Sequence, residues 1–115
     1  MLVDCQGGFF PLNSCGQPMH IGVCSLQFRL PESASLKDKR GVFRSISTRV
    51  RNRFNVSIAE VDDNDRRQLL TLGVCCVSND PQHANEMLSR VVSYIQGIRP
   101  DAELLDYTLE IISGD

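Results

Sequence analysis

Several features that would narrow the function are missing from this 115-residue sequence. No apolar run approaches the ~20 residues that a membrane-spanning helix requires, so we expect no membrane anchor. The five cysteines are an odd number without CxxC spacing, which argues against a disulfide or metal framework and favours reduced thiols in a cytoplasmic protein. The two histidines, His20 and His83, have no ligand spacing. We therefore predict no metal site and no cofactor.

Lysine and arginine are absent from the first eighteen residues. A secretory signal needs a basic region before its apolar stretch, so this segment is not one. Its glycines and prolines interrupt any helical or strand pattern. We expect residues 1–18 to be a disordered or non-native extension, with Met19 as the natural start, and residues 19–113 to form one domain.

Six segments with strand or helix periodicity follow Met19. The predicted order is strand 20–30, helix 35–54, strand 55–62, strand 69–78, a helix from Pro81 to Gly97, and strand 102–112. The segment 69–78 is almost entirely apolar, which predicts burial on both faces or nearly so. In the last strand we expect an inward set, namely Leu105, Tyr107, Leu109 and Ile111.

The element order β-α-β-β-α-β predicts an α+β fold of the ferredoxin-like type. In this fold a four-stranded antiparallel sheet with strand order 4-1-3-2 has both helices on one face. The other sheet face is then open. Its expected residues are small or polar and include no aromatic side chain, so we do not expect that face to stack RNA bases. A small, partly apolar face of this kind instead favours packing on a second copy of the chain.

Three segments at these spacings resemble the YlxP-like family, a bacterial family of unknown function: SLKDKR (35–40), RFNVSIAEVD (53–62) and TLGVCCVSND (71–80). The resemblance covers residues 19–112 and implies a ferredoxin-like, cytoplasmic protein. Genes of the family commonly lie among those for translation factors and ribosome-binding factor A, so the resemblance implies a role in ribosome assembly or translation. The chain departs from the family in residues 1–18 and in Arg67-Gln68, where members often have a Trp-Gln pair.

The first helix concentrates positive charge. Seven of the chain's 12 basic residues lie between positions 37 and 53, where Asp38 is the only acid. At 100° per residue, four of them fall within a stripe of roughly 60°. These four are Lys37, Arg40, Arg44 and Arg51. We expect the stripe to lie opposite the apolar arc, with Ser47 and Thr48 beside it as further donors, and to bind RNA phosphates.

Two other interpretations of the stripe stay open. It could be a solvated helix face, since lysine and arginine are ordinary helix formers, or it could pair with an acidic partner such as the DDND loop of another copy. Lys39 points away from the stripe. We expect its stem to pack on the apolar side while its ammonium group reaches solvent.

No catalytic arrangement is visible. The acids Glu60, Asp62, Asp63 and Asp65 fail the spacing of a calcium loop, because Arg67 stands where that loop needs glycine. The segment KRGVFR resembles an acylphosphatase phosphate loop but has only one glycine. We therefore predict a non-enzymatic protein that contacts ribosomal RNA or the small ribosomal subunit. The alternative is a homodimeric regulatory or small-ligand-binding module that associates through the open sheet face.

Overall fold

The computed structural model describes residues 19–114, so the expectation for residues 1–18 lies outside the described part of the chain. The elements are β1 (Met19–Arg29), α1 (Leu36–Arg53), β2 (Ser57–Asp62), β3 (Leu69–Ser78), α2 (Pro81–Ile98) and β4 (Glu103–Gly114). The four strands form one antiparallel sheet in the order β2-β3-β1-β4. This is the predicted order 4-1-3-2 listed from the other edge, and the ferredoxin-like fold is confirmed.

Local sequence signals set where both helices begin. The Ser35 hydroxyl accepts the backbone N–H of Asp38 at 3.1 Å, and the Asp38 carboxylate accepts the N–H of Ala34 at 3.0 Å. At α2, the Asp80 carboxylate accepts the N–H of Gln82 at 3.0 Å, and Pro81 occupies the first helical position. These caps satisfy N–H groups that have no partner inside a helix.

The core lies between the two helices and one face of the sheet. It takes alternate residues from the central strands and the inward stripe of each helix. Its main members are Cys24, Leu26 and Phe28 from β1, Leu70, Leu72, Val74 and Cys76 from β3, Ile46 and Val50 from α1, and Ala84, Leu88, Val91 and Ile95 from α2. Within residues 19–114, neither helix is long and apolar enough to cross a membrane.

Two burial predictions are wrong. β3 is fully covered on one face only; on its other face Thr71 is 8% exposed but Val77 is 65% exposed, because both helices pack on the opposite side of the sheet. In β4, Leu105 is 45% exposed, and Tyr107 is 51% exposed although it lies on the same sheet face as its core neighbour Leu26. β4 is an edge strand, and a register shift opposite Gln27 and Phe28 moves Leu105 out of the alternation. Apolar composition alone does not tell an edge strand from a covered one.

Candidate nucleic-acid interface

The predicted stripe lies along one flank of α1, above the edge strand β2. Arg51 marks this position, since its Nη2 donates to the carbonyl oxygen of Ile58 in β2 at 2.8 Å. The buried side of α1 includes Ile46 and Val50, and the centre of the stripe lies about 110° around the helix from it. The stripe was expected opposite the apolar arc, whereas the structure places it closer to the sheet edge. We call Lys37, Arg40, Arg44 and Arg51 the basic flank.

The four members of the basic flank differ in how much of their charge is available. Lys37, Arg40 and Arg44 are exposed, and none has a side-chain hydrogen bond or ion pair within residues 19–114. Arg51 is also exposed overall but uses one nitrogen on Ile58. The flank therefore offers three free cations and one that is held in place by the sheet.

The hydroxyl groups expected beside the stripe do not both face solvent. Ser47 is 3% exposed, and its Oγ donates to the carbonyl of Arg44 at 3.2 Å. It therefore cannot donate to a phosphate, and that part of the prediction is wrong. Thr48 is exposed and remains available. The difference arises because Ser47 lies on the buried edge of the stripe, where a small side chain closes the packing against the sheet.

Lys39 does not extend its ammonium group to solvent as expected. It is 1% exposed, and its Nζ lies 2.9 Å from Oε2 of Glu60. The same Nζ donates to the carbonyl oxygens of Asp63 at 2.6 Å and Leu69 at 3.2 Å. Two of the three ammonium donors are thus used on carbonyl oxygens, whereas Glu60 Oε2 is an ion-pair partner that accepts no hydrogen bond in the described part of the chain. Lys39 thus belongs to the structure that joins α1 to the β2–β3 connection.

Asp63 organises that connection, a role that sequence reasoning missed. Its backbone is left-handed, with φ of 57°, which aspartate tolerates better than most residues. Its carboxylate accepts hydrogen bonds from Thr71 Oγ1 at 2.8 Å and Gln27 Nε2 at 3.1 Å. These bonds, first that from Thr71 and then that from Gln27, lower the pKa of Asp63. The only sequence signal was the turn-forming DDND.

The acidic connection does not form a metal centre in the described part of the chain. Among residues 19–114, no group of three or more His, Cys, Asp or Glu side chains could hold a metal ion. Arg66 lies beside Asp63, with Nε 3.9 Å from Oδ1. The carboxylate of Asp63 is therefore occupied by protein donors, and the connection acts as a fixed turn.

The remaining cations of α1 point elsewhere. Arg53 lies over the ring of Tyr94 in α2, with 5.0 Å between the guanidinium carbon and the ring centroid. Phe54 meets the same ring edge-on at a centroid distance of 5.6 Å. Arg53 therefore contributes to the packing between the helices. Arg49 is exposed and lies on this side of α1, away from the basic flank.

The pocket between the start of α1 and Arg99 is small. Its volume is about 140 Å³, and its lining includes Leu30, Ser33 and Val42. Pockets for small organic ligands usually enclose roughly 300 Å³ or more. This pocket therefore does not favour the small-ligand alternative.

The fold and this site define a class of protein: a ferredoxin-like α+β domain whose first helix exposes a row of cations beside a sheet edge. The chain belongs to the family described as "Protein of unknown function (DUF503)", whose model matches residues 21–109. It is similar to the "Uncharacterized protein YlxP" of Bacillus subtilis (strain 168), with 36% identity over 83 residues, 72% of this chain and 89% of that protein. The resemblance to the YlxP-like family is confirmed.

Two solved structures are similar in outline. The protein SO0527 from Shewanella oneidensis is 12% identical, with a TM-score of 0.47 over 86% of this chain and 93% of that one. The de novo designed protein Foldit4 is 12% identical, with a TM-score of 0.46 over 84% of this chain and 97% of that one. At this level of similarity neither structure carries an argument about function.

Proposed function

We propose that this protein is a non-catalytic module that contacts ribosomal RNA, on its own or in the small ribosomal subunit, and assists ribosome assembly or translation. The basic flank binds the phosphate backbone. The observation that supports this is that Lys37, Arg40 and Arg44 are exposed together and have no ion-pair partner within residues 19–114. The resemblance to the YlxP-like family supports the ribosomal partner.

The length of the basic flank suits a nucleic-acid backbone. Lys37 and Arg51 are fourteen residues apart, which at 1.5 Å per residue is about 21 Å along the helix. Such a row can neutralise several phosphates at once, and the released counterions then favour binding. No aromatic side chain takes part, so the contact is expected to read the shape and charge of RNA rather than its sequence.

A face that only keeps the protein hydrated is a weaker explanation of these charges. Surface helices commonly mix the two signs, and oppositely charged residues four apart stabilise them. Arg40 and Arg44 instead form a like-charged pair at this spacing, which weakens a helix slightly. Lys37 adds a cation to the first turn, where the helix dipole disfavours it. This arrangement of charges therefore adds no stability to the fold, whereas it would favour the binding of a phosphate ligand.

The test is RNA binding by a charge-reversed protein. We expect Lys37→Glu/Arg40→Glu/Arg44→Glu to bind ribosomal RNA and small subunits at least about a hundredfold more weakly at low salt. The slope of log Kd against log salt should fall by about two to three, one for each lost phosphate contact. Filter binding or fluorescence anisotropy across a salt series measures both quantities.

A matched control separates the basic flank from net charge. Arg49→Glu/Arg67→Glu/Arg90→Glu makes the same charge change at three exposed positions without side-chain partners in the described part of the chain. This control should bind RNA within a few-fold of wild type. Equal losses in both variants, or unchanged binding in the first, would refute the proposal. Binding to an acidic protein or to the DDND loop of a second copy, but not to RNA, would support the acidic-partner alternative instead.

A second candidate function has one observation in its favour. On the open sheet face, Ile21 of β1 stands opposite both Val77 and Ile112. The neighbouring Val23 is 36% exposed, and the whole group forms an apolar end of the face. We propose as the runner-up a homodimeric regulatory module that packs this end on a second copy. Sedimentation at micromolar concentration should then show a dimer that Val23→Lys/Val77→Lys converts to monomer; a wild-type monomer excludes it.

The proposed RNA partner implies a cytoplasmic location. The cytoplasm also suits the thiols of Cys24, Cys75 and Cys76, which are free in the described part of the chain. Cys24 is buried, and burial raises its pKa to about 11, so its thiol stays protonated and unreactive at neutral pH.

A further inference from the structure

The two edges of the sheet are built very differently. β2 has only six residues, its register shifts between Glu60 and Asp62, and Arg51 occupies one of its carbonyl oxygens. Short length, irregularity and a covering cation are the usual ways in which proteins prevent an edge from pairing with another strand. β2 is therefore a protected edge.

β4 has almost none of these protections. It has twelve residues and contains no lysine, arginine or proline, and within residues 19–114 it pairs only with β1. One register shift, near Leu105, is the only irregularity in its pairing with β1 within residues 19–114. Three of its large apolar side chains are roughly half exposed: Leu105, Tyr107 and Ile112. A long edge strand of this composition is suited to receive another strand.

The negative charge of β4 indicates which kind of strand would pair with it. Asp106 and Glu110 are exposed on the open face of the sheet, four residues apart. Their neighbours on β1 are Gln27 and Val23, so neither acid has a cation beside it. Neither forms an ion pair within residues 19–114. On the other face the strand offers Tyr107, Leu109 and Ile111, which are apolar.

We propose that the free edge of β4 binds an extended segment of another protein in which apolar residues alternate with lysine or arginine. The backbone of the segment would continue the sheet. Its apolar side chains would lie beside Tyr107, Leu109 and Ile111, and its cations would lie beside Asp106 and Glu110. Side chains alternate between the faces of a strand, so one alternating sequence satisfies both faces at once.

A second copy of β4 fits this edge less well. Two-fold antiparallel pairing centred on Thr108 would set Asp106 of each copy opposite Glu110 of the other. Like charges directly opposite one another destabilise a strand pair. Every register would bring together two strands that carry acids and no cations. Charge complementarity therefore favours a basic segment. This inference does not rest on RNA binding, because α1 lies over the opposite edge of the sheet.

The probe is a capped nine-residue peptide in which valine alternates with lysine and threonine. We expect it to shift the backbone amide signals of residues 103–113 in NMR spectra and to slow their hydrogen exchange. The same peptide with glutamate in place of lysine should bind at least about fivefold more weakly. A lysine peptide N-methylated at alternate backbone nitrogens should not bind, because it cannot form the ladder.

A reciprocal variant makes the test specific. Asp106→Lys/Glu110→Lys should reverse the preference, so that the glutamate peptide binds more tightly. Asp65→Lys/Glu86→Lys changes the net charge equally at exposed positions away from β4 and should keep the wild-type preference. Any of four results would overturn the proposal. These are no binding at millimolar peptide, binding by the N-methylated peptide, amide signal shifts outside β4, and the same peptide preference in all three proteins. If the reciprocal variant does not fold, the wild-type comparison of the three peptides still decides.

Discussion

At the scale of single residues, the ion pair of buried Lys39 with Glu60 is the main place where charged side chains hold the fold together. Removing an ammonium group from water is costly unless acceptors replace the water. Here Glu60 and two backbone carbonyls replace it, and Lys39 thereby connects the first turn of α1 to the segment between β2 and β3. The residue is thus separated from the basic flank although it lies within the same run, SLKDKR.

Replacement of Lys39 by methionine should therefore be costly although the site is apolar. The change keeps the volume but leaves the Glu60 carboxylate without its ion-pair partner and two carbonyls without their donor. We expect the free energy of unfolding to fall by about 3 kcal/mol or more in urea titrations. Lys37→Met is the matched control, because Lys37 is exposed, and it should change stability by less than about 0.5 kcal/mol. Equal effects of the two changes would show that the Lys39 contacts contribute nothing.

Asp63 should make the stability depend on pH in the acid range. Hydrogen bonds from Thr71 and Gln27 lower its pKa in the folded protein. The stabilisation from its carboxylate is then fully present above the ordinary pKa of about 3.9 and is lost as the pH falls toward the lower folded value.

Asp63→Asn removes the ionisable group while keeping a residue that tolerates positive φ. We expect wild type to lose stability more steeply than this variant as the pH is lowered below about 4, measured by urea unfolding at several pH values. Asp65→Asn, at an exposed position without side-chain bonds in the described part of the chain, should follow the wild-type profile. If the stability of Asp63→Asn also followed the wild-type pH profile, the role assigned to Asp63 would be disproved.

At the scale of the elements, β1 and α2 approach closely at Gly22. A Cβ atom at this position would lie 2.7 Å from Cδ1 of Leu88 and 3.1 Å from Sγ of Cys76. The missing side chain therefore lets α2 settle onto the central strands. The alternating pattern of β1 predicted the strand but gave no indication that Gly22 is a packing position, because the contact is made by a distant helix.

Gly22→Ala should consequently destabilise the protein by about 1 to 3 kcal/mol, since the added methyl group must displace Leu88. Gly41→Ala is the contrasting change. Nothing lies within 4 Å of a Cβ there, and α1 would gain about 0.5 to 1 kcal/mol from the better helix former. Thermal unfolding of both variants measures the difference. A stabilised Gly22→Ala protein would contradict this packing.

At the scale of the whole molecule, charge is separated between two sides. α1 carries seven cations and one acid, whereas the acids of β4 lie at the far edge of the sheet. The sheet order places β2 and β4 at opposite edges, so the basic flank and the free strand edge cannot face the same partner surface. The two proposed contacts are therefore compatible with one another.

Because the basic flank and β4 lie at opposite edges of the sheet, RNA and the lysine peptide should be able to bind at the same time. We expect the Kd for ribosomal RNA to change by less than about twofold when the lysine peptide saturates β4, measured by anisotropy of labelled RNA. Asp106→Lys/Glu110→Lys, which should bind that peptide more weakly than wild type, provides the baseline for unrelated effects of peptide charge. Competition in wild type alone would mean that the two surfaces overlap or are coupled.

The sequence by itself determined the order of elements, both helix starts and the composition of the basic stripe. These follow from periodicity and capping, which act over a few neighbouring residues. Only the tertiary structure decided that Lys39 is buried, that Ser47 faces inward, and that the stripe lies beside β2 rather than opposite the core. It also decided that β4 is the unprotected edge. Each of these depends on residues far apart in sequence, as with Lys39 and Leu69, whose contact exists only once α1 has packed on the sheet.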